Sequence, residues 1–417
     1  MNIFIVNNSA IPPSLGGLVR HYYFSKILTK FGYKVRILTA SQIHNTDINM
    51  ADEGNNLITI KEIDDVQYSF IRTLSYTQNN WRRVYSMVQF SFNCVKAIKK
   101  LIKIGDKPDV IYLSSPSPFC CYTVMKFAKK NKIPCLQEIR DLWPLSITAY
   151  DIISEQNILV KILYKLEKWL YTNADKLIFT MAGGKDYIRE KGWDKSIDLS
   201  KINQINNGVY LEEFKYNLAN YQLNDSDLDK GEQFKIVFTG SVRHVYQLET
   251  IIETARLCQK TLPSVHIYIY GEGPEKNRLL ELVEQYDLKN ISFKGRIEKK
   301  YIASILSKAD VTLMHFKQVD LAKYGVSPNK LFEYCAARKP ILSTVNTNYS
   351  LIKQYNCGLE TQSQEPAVIC EAIKYFVNLK PEDRIAMGKR AYEVALKHDY
   401  TKLTLKLLDI INDLRIL

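Results

Sequence analysis

The stretch YGVSPNKLFEYCAARKPIL, Tyr324–Leu342, contains the start of a helix, its body and the first residues of a strand. Ser327 suits the N-cap and Pro328 the first helical position. Apolar residues then recur at helical spacing over 331–337. A buried strand is predicted over Pro340–Thr344, directly after this helix. A helix that leads into a buried strand is the repeating unit of a parallel α/β sheet.

Lys330 is the unusual residue of this segment, because it falls in the first helical turn, where the helix dipole disfavours a cation. A bound phosphate or diphosphate would remove the conflict, since free backbone N–H groups at a helix start also bind anions. Glu333 would then lie one turn on, where it could accept hydrogen bonds from sugar hydroxyls. The alternative is a solvated Lys330 that forms an ion pair with Glu333, and this window alone leaves both interpretations open.

The same alternation of strand and helix extends in both directions along the chain. Predicted strands of the first half are Asn2–Val6, Lys34–Thr39, Asp109–Ser114, Pro134–Ile139 and Lys176–Thr180, with helices between them. The pattern fades over the polar, acidic stretch 206–233, which reads as a connection, and resumes at Phe234. We therefore predict an α/β protein with two doubly wound Rossmann-like domains that face each other across a cleft.

The predicted domains are residues 1–205 and 206–399, and a final helix over 400–417 is expected to pack back on the first domain. The chain has 417 residues, 46% of them hydrophobic and 24% charged, with a formal net charge of +13. Its eight cysteines lack metal-binding spacing, which favours a reducing cytosol. No signal peptide and no membrane span of about 18 apolar residues is recognised. A cytoplasmic protein is expected.

Glycines follow several predicted strands, where a ligand's approach would need a bare backbone. Gly240-Ser241-Val242-Arg243 follows one strand, and Arg243 is a candidate partner for a phosphate. Gly271 follows a second strand, Gly295-Arg296 a third, and Ser14–Gly17 the first strand of the chain. Each of these is also compatible with an ordinary tight turn. None has the G-x-G-x-x-G pattern, which argues against a nicotinamide cofactor.

Charged residues cluster in the segment EIRDLWP, Glu138–Pro144, which follows another predicted strand. A carboxylate there, from Glu138 or Asp141, is a candidate to take a proton from an acceptor hydroxyl. The alternative is that Arg140 forms an ion pair with a neighbouring acid while Trp143 packs a loop. Asp225-x-Asp227 resembles a D-x-D pair that holds a metal in one class of sugar-transferring enzymes, but its polar, linker-like setting argues against metal binding here.

Aromatic and basic residues are mixed between Arg72 and Lys107, within a helix predicted over Arg82–Ile104. Phe90, Phe92 and Ile98 alternate there with several lysines. Such a surface suits an anionic membrane or a lipid-linked pyrophosphate. The alternative is an amphipathic helix packed on the sheet with solvated lysines.

These motifs resemble those of bacterial GT-B glycosyltransferases of family 4, and more closely the capsule and O-antigen branch, which includes N-acetylfucosamine transferases. The resemblance covers nearly the whole chain. Its most specific parts are Glu138–Pro144 and Tyr324–Glu333. The sequence departs from the family's pattern at Gly325, where a glutamate is frequent, and at Arg140, where a histidine is frequent.

The resemblance implies an acceptor-binding first domain, a second domain that binds a nucleotide-sugar, and transfer with retained configuration and no metal or other cofactor. Lys330 would neutralise the diphosphate leaving group, Glu333 would hold the ribose, and Asp141, with Glu138 as second candidate, would act on the acceptor side. The implied donor-binding residues are Gly16, Gly17, Ser241, Arg243, Gly271, Arg296, Ser327, Asn329, Lys330, Leu331 and Glu333.

The sequence therefore predicts an enzyme that moves a sugar, an N-acetylated amino or deoxyamino sugar, from a UDP-sugar to an undecaprenyl-diphosphate-linked acceptor. It would work in capsule or O-antigen synthesis, peripherally on the cytoplasmic membrane face and without nucleic acid. Two alternatives remain open at this stage. One is a UDP-sugar epimerase of the same fold, and the other is a non-catalytic basic protein that binds a membrane or nucleic acid.

Overall fold

Two parallel sheets organise the chain, in a computed structural model that describes residues 1–16, 19–43, 46–76, 81–229, 231 and 233–414. The chain divides into two compact units. The first unit comprises residues 1–206 together with 400–417, and the second comprises residues 207–399.

The sheet of the first unit has the strand order β3-β4-β2-β1-β5-β6-β7-β8. Its strands are β1 (Asn2–Val6), β2 (Lys34–Ala40), β3 (Ile58–Ile63), β4 (Val66–Ile71), β5 (Val110–Ser114), β6 (Cys135–Ile139), β7 (Lys176–Phe179) and β8 (Ile202–Gln204). Only the pairing of β3 with β4 is antiparallel among these described strands. The sequence analysis missed this hairpin, whose turn uses Asp64 and Asp65 with positive φ values of 52° and 64°.

Helices connect the strands of the first unit. They are α1 (Val19–Lys30), α2 (Trp81–Lys103), α3 (Pro118–Lys130), α4 (Leu145–Thr148), α5 (Ile158–Asn173) and α6 (Gly184–Glu190). Before α1, residues Pro13–Leu15 form a separate 3-10 turn that ends at Gly16 with a φ of 82°. The last helix of the chain, spanning Tyr400–Asp413, packs against α1, where Tyr400 contacts Tyr23 and Phe24.

The sheet of the second unit is parallel throughout, in the order β11-β10-β9-β12-β13-β14. Its strands are β9 (Phe234–Thr239), β10 (Val265–Tyr270), β11 (Ile291–Gly295), β12 (Val311–Met314), β13 (Ile341–Ser343) and β14 (Gly358–Glu360). Alternate side chains of β9 fill opposite faces of the sheet, with Ile236 and Phe238 in one core cluster and Val237 in the other. Burial on both faces explains the continuous apolar runs that mark these strands in the sequence.

The helices of the second unit begin inside the stretch that we read as a connection. They are α7 (Leu211–Asn220), α8 (Leu248–Thr261), α9 (Lys276–Gln285), α10 (Ile302–Ser307), α11 (Asn329–Ala336), α12 (Leu351–Tyr355), α13 (Pro366–Asn378) and α14 (Pro381–Lys397); the final helix of the chain, Tyr400–Asp413, is then α15. The interpretation of 206–233 as a linker is wrong in its first part, because α7 buries Leu211 and Phe214 in the core of the second unit.

Each sheet has one reversal point, a place where the strand order changes direction because later strands of the chain are added on the other side of an earlier strand. In the first unit β1 lies between β2 and β5, and in the second unit β9 lies between β10 and β12. Ligands of open α/β sheets bind beyond the carboxyl ends of the strands at such points. Asn7 and Ser115 follow the strands of the first reversal, and Gly240 and His315 follow those of the second.

Candidate functional site

Lys330 lies in the first turn of α11, and its side chain is buried without a hydrogen-bond partner among the described residues. The residue is 8% exposed. Its ammonium group lies 3.8 Å from the ring centre of Phe238 and 4.2 Å from that of Tyr246. Cation–π contacts of this kind compensate only part of the lost hydration. Burial lowers the pKa of Lys330 to about 7, and Glu333 opposes the shift.

This geometry contradicts one of the two interpretations of Lys330 that the sequence left open, the solvated lysine that forms an ion pair with Glu333. The side chain is not solvated, and within the described residues it has no ion pair with Glu333. Glu333 itself is half-buried, and burial raises its pKa while Lys299 and Lys330 oppose the rise. A buried ammonium group without a counter-ion is costly, so the arrangement favours a site that an anion completes.

Tyr334 fixes α11 at the reversal point of the second sheet. Its hydroxyl accepts a hydrogen bond from the backbone N–H of Thr239, at 3.0 Å, and donates one to the carbonyl of Leu313, at 3.2 Å. The ends of β9 and β12 are therefore tied to the helix one turn after Lys330. The sequence analysis assigned Tyr334 only to the apolar face of the helix, and nothing in the local pattern revealed its hydroxyl contacts.

The helix start differs in detail from the prediction. Helix α11 begins at Asn329, and Pro328 precedes it in an extended conformation without a side-chain cap. Ser327 is not the cap, because its hydroxyl accepts the backbone N–H of Asn207 at 2.8 Å. The Asn329 side-chain oxygen is buried and has no partner among the described residues. The start of α11 thus presents an uncapped helix end beside Lys330.

Gly240 is required by the position of Lys330. A Cβ atom at Gly240 would lie 2.6 Å from the Lys330 ammonium nitrogen, and the backbone φ of 150° also favours glycine. Gly271 has a different reason, because a Cβ atom there would lie 1.7 Å from the carbonyl oxygen of Gly240. The approach of these two strand ends accounts for Gly271 without a ligand, which is the ordinary-turn alternative for that residue.

His315 follows β12 and connects the segments that carry Gln247 and Thr344. Its Nε2 atom lies 3.1 Å from the carbonyl of Gln247, and its Nδ1 atom lies 2.6 Å from the Thr344 hydroxyl. Burial lowers the pKa of His315 to about 4, so the ring is neutral and donates from one nitrogen only. Gln247 has a positive φ of 42°, directly after the turn that carries Tyr246. The sequence analysis did not identify His315.

The other predicted donor-binding residues differ in their element and in their exposure to solvent. Ser241 and Arg243 follow Gly240 in the chain, and Arg243 is exposed. Arg296 is exposed after β11, and Leu331 is buried in α11 next to Lys330. Gly16 belongs to the first unit, and Gly17 lies outside the described residues.

Glu138 is a fully buried carboxylate at the end of β6, not an accessible proton acceptor. Arg20 donates to its Oε1 at 2.6 Å, Ser114 donates to its Oε2 at 2.7 Å, and Tyr112 also donates to Oε1. His21 Nε2 lies 3.2 Å from Oε2. Burial opposes ionisation of Glu138, but Arg20 and His21 hold its pKa well below its usual range. These contacts indicate a structural ion pair. Glu138 is therefore removed as the second candidate, and Asp141 remains the acceptor-side candidate.

Arg140 and Asp141 follow Glu138 at the carboxyl end of β6. Asp141 is exposed, and the surrounding protein raises its pKa while Arg140 opposes the rise. The Nε and Nη1 atoms of Arg140 are shielded from solvent and have no hydrogen-bond partner among the described residues. Arg140 makes no direct ion pair with Glu138 or Asp141 among the described residues, although its charge acts to lower the pKa of both carboxyl groups, and Arg20 makes the direct contact with Glu138.

The Asp225-x-Asp227 pair forms a structural ion cluster. Lys294 donates to Asp225 and to Asp227 at 2.8 Å each, and the Tyr270 hydroxyl donates to Asp225 at 2.8 Å. Both carboxylates therefore stabilise the fold around β10 and β11.

Known domain families match both halves of the chain. The family described as Glycosyltransferase Family 4 matches residues 15–213, and the family described as Glycosyl transferases group 1 matches residues 222–394. A curated relative, the putative teichuronic acid biosynthesis glycosyltransferase TuaH of Bacillus subtilis (strain 168), is 25% identical over 270 residues. That match covers 59% of this chain and 64% of the relative, less than two thirds of the relative's length.

Solved structures share the fold over nearly all of the chain. One, titled as trehalose-6-phosphate from E. coli bound with UDP-2-fluoro glucose, has a TM-score of 0.72 and 10% identity, and covers 100% of this chain and 99% of its own. Another, Anabaena Alr3699/HepE in complex with UDP and glucose, has a TM-score of 0.65 and 12% identity, and covers 98% and 99%. The chain therefore has the GT-B fold, with a glycosyltransferase domain matched in each of its halves.

Proposed function

We propose that this protein is a retaining, metal-independent glycosyltransferase that moves a sugar from a UDP-sugar to a lipid-linked glycan acceptor. The observation that carries the proposal is the buried ammonium group of Lys330 at the uncapped start of α11, which has no hydrogen-bond partner in the part of the chain that the structure describes. It lies at the reversal point of the second sheet, beside the glycine that follows β9. A diphosphate bound there would satisfy both the lysine and the helix end.

In the proposed reaction, the bond between the anomeric carbon of the donor and the diphosphate oxygen breaks, and the UDP leaves with both bonding electrons. Negative charge grows on the leaving oxygen, where Lys330 stabilises it most strongly in the transition state. The acceptor oxygen forms the new bond to the anomeric carbon and loses its proton, for which Asp141 is the proposed acceptor. Glu333 is proposed to hold the ribose hydroxyls.

The donor class is supported by two of the similar structures, one bound with UDP-2-fluoro glucose and the other in complex with UDP and glucose. The choice of an N-acetylated amino or deoxyamino sugar, such as N-acetylfucosamine, rests on the sequence motifs at Glu138–Pro144 and Tyr324–Glu333. A role in capsule or O-antigen synthesis rests on the same motifs. The name of the teichuronic acid relative supports the broader class of bacterial surface polysaccharides.

Independence from metal ions is part of the proposal, because Lys330 and the start of α11 supply positive charge where other transferases use a cation. Asp225 and Asp227, the pair that suggested a metal site, are both occupied by Lys294. The experiment described next therefore contains a chelator.

The proposal is tested by release of UDP from a panel of UDP-sugars, with and without a bacterial lipid extract, in the presence of EDTA. We expect release that requires both one UDP-sugar and the extract, with the sugar recovered in the lipid fraction. Conversion of a UDP-sugar into its epimer without lipid would instead support the epimerase alternative. Failure of every UDP-sugar, together with the absence of UDP binding, would contradict the proposal.

Helix α2 supports a position at the membrane surface. It carries six basic residues and no acidic one over Trp81–Lys103. Its buried face includes Phe90 and Ile98, whereas Trp81 is 68% exposed and Phe92 59% exposed. The buried face of α2 fits the interpretation of an amphipathic helix packed on the sheet. The exposed face fits the interpretation of a surface for an anionic membrane. The basic charge and the exposed aromatic residues together suit an anionic lipid surface on the cytoplasmic side. No helix of the described chain is long and apolar enough to cross a membrane.

Replacing Trp81 and Phe92 together with alanine is expected to weaken binding to anionic vesicles about tenfold or more, because each large apolar side chain contributes about 1–3 kcal/mol when it is removed from water. The measurement is co-sedimentation with phosphatidylglycerol-containing vesicles. A matched control replaces Tyr216 and Ile385, each 58% exposed in the second unit. Equal loss in both variants, or no loss in either, would contradict a specific membrane face on α2.

A further inference from the structure

The first unit contains two arginines near Glu138 whose surroundings are opposite. Arg20 is fully buried and donates to Glu138 at 2.6 Å and to the carbonyls of Ile205 and Asn206 at 2.8 and 2.5 Å. Arg140 has its Nε and Nη1 atoms equally shielded from solvent, yet neither has a partner among the described residues. The charge of Glu138 is therefore already balanced by Arg20, and Arg140 is left with unsatisfied donors.

The backbone of Arg140 is fixed on both sides. Its N–H donates to the Ser115 hydroxyl at 2.9 Å, and its carbonyl accepts from the Thr180 hydroxyl at 3.2 Å. Ser115 follows β5 and Thr180 follows β7, the two strands that flank β6. The start of the side chain is thus anchored at the carboxyl edge of the sheet by its neighbours on both sides.

Other buried polar atoms without a hydrogen-bond partner in the described chain lie just after strands, at the same carboxyl edge of the sheet. The Asn8 side-chain oxygen follows β1, and the Ser117 hydroxyl follows β5; both are buried and without a partner in the described part of the chain. These strands adjoin the reversal point of the first sheet, and β6 is the next strand along. Buried polar atoms are normally hydrogen-bonded, and ligands of open α/β sheets bind beyond the carboxyl ends of strands near such a point, so these atoms are candidates for contact with a ligand.

We infer that Arg140, with Asn8 and Ser117, forms a subsite for an anionic group of the acceptor, a phosphate or a sugar carboxylate. No side-chain nitrogen of Arg140 has a hydrogen-bond partner among the described residues, so the planar guanidinium can offer a pair of N–H groups, Nη2 with either Nε or Nη1, to two oxygens of such a group. Asn8 and Ser117 would hydrogen-bond hydroxyls beside it. The inference rests on the proposed function, because it assigns the first unit to the acceptor. It predicts that the acceptor carries a negatively charged group.

The test uses the full chain and two anionic probes, inorganic pyrophosphate and glucuronate, with glucose as the uncharged control. Binding is measured by calorimetry in a Lys330→Met background, so that the second unit does not contribute a phosphate site. We expect at least one anion to bind more tightly than glucose, and Arg140→Met to weaken it at least tenfold. A preference for pyrophosphate would indicate the lipid diphosphate, and a preference for glucuronate an acidic sugar.

A separate arm keeps this inference distinct from the proposed function. With Lys330 intact, Arg140→Met should leave UDP affinity within about twofold of the unmodified protein, because UDP belongs to the other unit. The midpoint of thermal unfolding should not fall, since the Nε and Nη1 atoms of Arg140 make no hydrogen bond that the substitution would break. If the methionine variant fails to fold, Arg140→Lys replaces it. Loss of the paired N–H groups of the guanidinium should still weaken anion binding severalfold.

Either of two results would overturn the inference: anions that bind no better than glucose when Arg140 is present, or anion binding that is unchanged in both Arg140 variants. A loss of UDP affinity in Arg140→Met would also overturn it, because the guanidinium would then serve the donor. Failure of the unmodified protein to bind UDP would instead count against the proposed function.

Discussion

Lys330→Met is expected to lower the turnover of the UDP-sugar about 10²–10³-fold, the typical effect of removing one preorganised group that stabilises transition-state charge. Methionine has a similar length and fits between the rings of Phe238 and Tyr246, which now contact the ammonium group. The measurement is steady-state kinetics with the donor identified by the panel. Lys374, about half-exposed on α13, is the matched control, and Lys374→Met should retain full activity. Unchanged turnover in Lys330→Met would contradict the role of this lysine.

The same substitution should not destabilise the protein, which separates a catalytic loss from a folding defect. The pKa of Lys330 is about 7 in the folded chain, below its ordinary value of 10.5. Between these two values the unfolded state binds more protons, so the contribution of this group to the free energy of unfolding rises with pH. Lys330→Met removes that pH dependence. Chemical denaturation at pH 7 and pH 9 should therefore show a smaller increase in stability for the variant than for the unmodified protein.

Glu138→Gln is expected to lower the free energy of unfolding by about 3–5 kcal/mol, because it leaves the buried Arg20 without its counter-ion. Both side chains are 0% exposed in this pair, so solvent does not screen the loss. The measurement is urea or guanidinium denaturation at pH 7. Glu155→Gln provides the control, since Glu155 is 60% exposed in its pair with Lys191, and its loss should cost about 1 kcal/mol or less. Equal stabilities of the two variants would contradict the structural role of Glu138.

Much of the architecture was predictable because its causes are local. Apolar runs bounded by turn residues predicted the six strands whose bounds were derived from the sequence to within one residue at each end, namely β1, β2, β5, β6, β7 and β13. The helix start near Lys330 was recognised from its proline and its apolar spacing. The β3–β4 hairpin was missed, because β3 exposes the charged residues Lys61 and Glu62 and its turn is formed by two aspartates.

The candidate sites were less predictable, because their side chains meet through long-range contacts. The sequence placed Glu138 at a strand end but could not show that Arg20 lies against it from 118 positions away. Nor could it show that Tyr334 reaches the backbone of two strands. The chemical character of Lys330 was inferred from its helical position, whereas its burial, its aromatic neighbours and its lowered pKa required the packed structure.

The most direct test of the central claim, that Lys330 holds the diphosphate of the donor, is calorimetry of UDP binding at pH 8 in buffers of different ionisation enthalpy. With a pKa of about 7, roughly a tenth of Lys330 is protonated before binding. A diphosphate beside it favours the charged form, and UDP is already fully ionised at this pH. We predict uptake of close to one proton by the unmodified protein and none by Lys330→Met. UDP binding of equal affinity in both proteins, without proton uptake in either, would contradict the claim.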